Sequence, residues 1–96
     1  MFIELVPEFN NDCIICISLK DAIRAIVVTG GDDKYKYKTL IIQVGSQQYN
    51  VWRSDEYKVS DDYDATPQVD ECMDVFMRIL GLQAEGKPYI RVADLV

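Results

Sequence analysis

Eight carboxylates crowd the stretch from Arg53 to Asp74: Asp55, Glu56, Asp61, Asp62, Asp64, Asp70, Glu71 and Asp74. Only Arg53 and Lys58 oppose them there, so the stretch accounts for the whole formal charge of −6, the other eight acids and eight bases cancelling. Carboxylates at this density can chelate a hard cation or offer a negative surface to a basic groove. A charge run can also be nothing more than a solvated face. An EF-hand loop needs Gly at its sixth position and a bidentate Glu at its twelfth. Counted from Asp62, those positions hold Pro67 and Met73. No metal site is therefore expected. The remaining readings are a docking surface and a plain polar loop whose Asp70 and Glu71 sit in a first helical turn, where the helix dipole favours anions.

Cys13 and Cys16 form a C-x-x-C, a spacing that supports thiol redox chemistry when it opens a helix. Here it lies in the apolar run CIICISL, which reads as strand. With Cys72 the only other cysteine and no histidine in the chain, a four-ligand zinc site lacks residues. The three thiols are expected to be core residues, with no zinc bound. The missing histidine excludes histidine-dependent catalysis, and no nucleophile elbow, phosphate loop or dinucleotide fingerprint is present. The chain reads as a protein that binds, not an enzyme, and no cofactor is implied. Aromatic rings near the acids supply candidate anchors, chiefly Trp52, Tyr57 and Tyr63.

The elements that must position these residues follow from periodicity. FIELV, residues 2–6, is a short strand ending at Pro7. CIICISL, residues 13–19, is a continuous β-branched run of the kind covered on both faces, and it can form a hairpin with the first. Residues 20–25 suit one helical turn, and AIVVT is strand up to Gly30 and Gly31. A strand from Tyr35 through LIIQV begins with KYKYK, whose lysines suggest a guarded sheet edge. Gly45 and Ser46 then make a two-residue hairpin loop into QQYNVWR. Simple alternation puts Tyr49, Val51 and Arg53 on one face, and Gln48, Asn50 and Trp52 on the other. Thr66 and Pro67 read as N-cap and first turn of a helix over residues 67–80, stopped by Gly81. KPYIRVADLV closes the chain as strand.

The 96 residues fit one domain of α+β class, a small antiparallel sheet of four to six strands packed against one α-helix at about 67–80. Three cysteines, no leader pattern and no long apolar run point to a soluble cytoplasmic protein.

The layout MFIELVPE, CISLKDAIRAIVV and TLIIQVGSQQYNV resembles the small FlbD-type regulators of flagellar genes in its hydrophobic spacing over about half the chain. The resemblance transfers no functional residue. In character the chain is also similar to small acidic phage-encoded inhibitors of the anti-CRISPR or DNA-mimic style. The expected function is inhibition or regulation of a nucleic-acid-handling protein. The predicted partner-binding residues are Trp52, Asp55, Glu56, Tyr57, Asp61, Asp62, Tyr63, Asp64, Asp70, Glu71 and Asp74, set against a basic groove. No direct contact with nucleic acid or membrane is expected, because a grip on phosphates needs clustered Lys and Arg. The chain would be a monomer or homodimer. The alternative is a small structural or assembly protein that self-associates through the KYKYK strand, or an FlbD-like regulatory protein.

Overall fold

The computed structural model describes residues 1–6, 14–17 and 22–95. The EFNND turn, Cys13 and the start of the expected helical turn lie outside the described residues. Among the described residues seven strands form two sheets beside one α-helix, an α+β arrangement.

The smaller sheet has the order β2-β1-β7, from β1 (Phe2–Glu4), β2 (Ile14–Cys16) and β7 (Tyr89–Arg91). β1 runs antiparallel to β2 and parallel to β7. Ile3 faces Ile15 on one side and Ile90 on the other, and all three are buried. The alternate residues Phe2, Ile14 and Tyr89 are about half exposed. The second strand is thus covered on one face only. Within Ile14–Cys16 every residue is apolar, so these positions carry no polar side chain to mark the outer face and periodicity alone does not separate the two sides. After β7 the chain turns into a 3-10 helix at Val92–Leu95 instead of continuing as strand.

The larger sheet consists of β3 (Ile23–Gly31), β4 (Tyr35–Val44), β5 (Gln47–Arg53) and β6 (Tyr57–Lys58). β3 and β5 flank β4, and β6 pairs with the beginning of β4 beyond the point where β5 leaves it. The KYKYK segment is therefore central, not an edge: Lys36 lies between Gly31 and Tyr57. Non-local pairing overrides the guard reading of its lysines. The Gly45-Ser46 loop joins β4 to β5 as expected, with Gly45 at φ 62°.

The alternation read for QQYNVWR fails at its end. The β4–β5 register shifts between Leu40 and Ile41, so that Leu40 faces Trp52 while Ile41 faces Asn50. Val51 is the extra residue of this bulge and is fully buried. The shift turns Trp52 onto the helix-covered face, where it packs at the margin of the core.

Helix α1 (Thr66–Ala84) covers one face of the larger sheet with Cys72, Val75, Phe76 and Ile79. These residues, Leu40, Ile42 and Val51 from the larger sheet and Ile3, Ile15 and Ile90 from the smaller one form one continuous cluster. Thr66 is already helical and Ala65 is the N-cap, so Pro67 stands at the second position and Asp70 and Glu71 lie beyond the first turn. The helix also runs through Gly81, whose position faces open space. It stops at Gly86, where φ is 76°. There the Lys87 N–H donates to Leu82 O and the Gly86 N–H to Gln83 O, each 3.1 Å, the Schellman pattern of orphan carbonyls satisfied past a left-handed glycine. Among the described residues no helix is long and apolar enough to cross a membrane.

Candidate protein-binding surface

Ser54 begins the acidic segment by breaking the β5 ladder. Its N–H donates to Lys38 O at 2.8 Å, while its hydroxyl accepts from the Lys38 N–H at 2.9 Å and donates to Asp55 O at 3.1 Å. A side chain thus replaces one rung, and the chain leaves the sheet with both groups of Lys38 satisfied. It returns at β6, and the Val59 N–H donates to Lys34 O at 2.8 Å.

The loop beyond β6 is held by its rings. Tyr57 and Tyr63 stack with centroids 5.0 Å apart and planes 19° from parallel. The Tyr63 hydroxyl donates to Gln68 Oε1 at 2.8 Å, fastening the loop to the first turn of α1. Tyr57 is half-buried and Tyr63 is exposed. Asp61 and Asp62 stand at the tip of a turn closed by the Tyr63 N–H on Ser60 O at 3.2 Å.

The eight carboxylates divide into three groups. Asp55, Glu56, Asp61 and Asp62 are exposed on the loop. Asp70 and Asp74, four residues apart, lie on the outward stripe of α1 together with the exposed Met77. Asp64 and Glu71 instead hold structure. Asp64 Oδ1 accepts from the Thr66 hydroxyl at 2.6 Å and the Thr66 N–H at 2.9 Å, and these two bonds keep its carboxyl below the usual range. Glu71 Oε1 accepts from Trp52 Nε1 at 3.2 Å. Trp52 is consequently half-buried, with its indole N–H engaged by α1. Nearby bases dilute the charge, since Lys36 pairs with Tyr57 and Lys58 with Tyr35 in the ladder. This proximity is a product of sheet topology and has no signal in the local sequence. Among the described residues no group of three or more Cys, Asp or Glu is placed to hold a metal ion.

The cysteines part company. Cys72 is fully buried and directs its thiol at Lys38 O at 3.6 Å, and burial, aided by the nearby Glu71 charge, pushes its pKa up to about 11. Cys16 is exposed on the outer face of the smaller sheet, which corrects the expectation of a buried thiol. Thiolate is the reactive form, so the two should differ sharply in reactivity. At neutral pH, iodoacetamide should modify Cys16 in the native protein and Cys72 only after denaturation. Peptide mapping by mass spectrometry reads both, and equal native labelling would contradict the burial of Cys72.

No protein family, curated protein or solved structure matches the chain in comparisons of sequence and fold.

Proposed function

We propose that this is a non-enzymatic acidic binding protein of the cytoplasm, which inhibits or regulates a nucleic-acid-handling protein by occupying its basic groove. The observation that carries the reading is a carboxylate-bearing loop with a fixed shape: Asp55, Glu56, Asp61 and Asp62 are exposed on a backbone pinned by β6, the Tyr57–Tyr63 stack and the Tyr63–Gln68 bond. A loop ordered before docking avoids much of the entropy that a flexible one loses on binding. Charges of one sign at its tip accelerate encounter with an oppositely charged groove. On this reading Tyr63 meets the partner directly, Trp52, Tyr57 and Glu71 support the surface from behind, and Asp64, exposed but engaged by Thr66, shapes the loop. Asp70 and Asp74 extend it along α1.

The test uses charge reversal at four of the five exposed loop acids, sparing Asp64 because it holds Thr66. A variant carrying D55K, E56K, D61K and D62K leaves the Asp64 and Glu71 contacts intact and should melt within a few degrees of the parent. Affinity capture from the source cell should yield a nucleic-acid-binding protein with the parent chain and lose it with the variant. With that protein purified, duplex DNA should compete with the parent chain, and reversal should slow association by about a hundredfold at low salt. An unchanged association rate, or binding indifferent to competing DNA, would reject the proposal.

A further inference from the structure

Among the described residues the larger sheet ends at β3, and this edge is built differently from a protected one. It is nine residues long, IRAIVVTGG, and contains neither lysine nor proline. Its pairing with β4 is unbroken from Ile23 to Gly31, with no bulge to twist it away. Short length, lysine, proline and bulges are the usual means of blunting a free edge, and β3 has none of them.

The direction of its backbone groups follows from the adjoining turn. The Asp32 N–H donates to Tyr35 O at 2.9 Å, which makes that pair hydrogen-bonded. Bonded and non-bonded pairs alternate along an antiparallel ladder. Gly30, Val28, Ile26 and Arg24 therefore bond to β4, and Gly31, Thr29, Val27, Ala25 and Ile23 turn their N–H and C=O groups outward. Lys38 confirms the phase: it faces Thr29, and both its backbone groups point the other way, to Ser54. Among the described residues no backbone bond reaches the outward groups of β3.

We infer that β3 pairs antiparallel with β3 of a second copy across a two-fold axis at Val27, joining the two larger sheets into one. Three observations select a second copy. An antiparallel pairing centred on Val27 is self-complementary, setting Ala25 against Thr29 and Ile26 against Val28 of the other copy. Arg24, the only charged residue of the strand, falls opposite Gly30 and not opposite its own symmetry mate. The acidic loop lies on the far side of β4, beyond β5 and β6, so two chains of charge −6 meet where neither presents its acids. An isologous contact of this kind closes at the dimer. It leaves the loop of the proposed function free at both ends, and does not depend on that function.

Sedimentation equilibrium together with amide hydrogen exchange tests the pairing on the unmodified protein. The expected result is a dimer of the 11.0 kDa chain that dissociates on dilution. In the dimer the amides of Ala25, Val27 and Thr29 should be protected, and on dissociation they should exchange fast. The amides of Arg24, Ile26, Val28 and Gly30 should stay slow throughout. Thr29→Pro removes one outward N–H from each copy and leaves the backbone bonds to β4 in place, losing toward β4 only the exposed side-chain bond from Lys38 Nζ to the Thr29 hydroxyl. It should weaken the dimer about thirtyfold, the worth of two hydrogen bonds. A monomer at millimolar concentration overturns the inference, as does a dimer whose outward amides exchange fast, or a monomer in which they are already protected.

Discussion

Gly31→Ala should destabilise the fold by about 3–4 kcal/mol, a large share of the 5–15 kcal/mol typical of a domain. Gly31 has φ 108°, a conformation that side-chain-bearing residues rarely adopt. A Cβ there would stand 2.4 Å from Tyr35 O and 2.7 Å from Lys36 Cα. Both obstacles are backbone, so relief requires the β3–β4 turn to open. That turn is held by the Asp32 N–H on Tyr35 O and by Asp32 Oδ1, which accepts from the N–H groups of Lys34 and Tyr35 at 2.8 Å each. These bonds keep the Asp32 carboxyl below its usual range, the Tyr35 bond contributing most. The melting temperature should fall by roughly 12–30 °C. Gly45→Ala and Gly86→Ala are the controls: both positions have positive φ but open space around the Cβ, and each should cost about 1 kcal/mol. A Gly31→Ala melt no lower than these two would show that the close approach to Tyr35 is not limiting.

Ile3→Ala should have a comparable effect by a different route. Ile3 is completely buried on the middle strand of β2-β1-β7, between Ile15 and Ile90. Truncation removes the branched chain from the row that attaches both outer strands to the common core. Buried Ile→Ala changes cost about 2–5 kcal/mol, and the upper half applies where neighbours cannot collapse into the space. Strand-paired neighbours on both sides resist collapse here, so about 4 kcal/mol is expected. Phe2→Ala, one residue away on the exposed face, should cost under about 1 kcal/mol. Urea unfolding monitored by circular dichroism separates the two, and similar midpoints for both variants would contradict the assigned faces.

The features legible in the sequence are those whose causes are local. The Gly45-Ser46 hairpin needs only a two-residue loop between apolar strands, and the apolar stripe of α1 needs only its own spacing. The start and stop of that helix were less legible because several residues competed for each role. Asp64, Ala65 and Thr66 share the N-terminal one, and Gly81 lay nearer the pattern's end than the true terminator Gly86. The central place of KYKYK depends on β6 returning to pair with β4, a contact that no short window contains. At the candidate surface the carboxylates were visible as charge, but their division of labour was not. It took the bulge at Val51 to bring Trp52 within reach of Glu71, and a bulge adds one residue without altering composition.

That last contact gives the protein an optical handle. Trp52 is the only tryptophan in the chain, so every photon of indole emission originates beside the acidic segment. Its ring borders the core and its N–H rests on a carboxylate of α1, so neutralising or displacing Glu71 changes both the polarity and the quenching around the excited state. A partner seated on the proposed acidic surface so as to disturb Glu71 would therefore change the indole emission of the unlabelled chain.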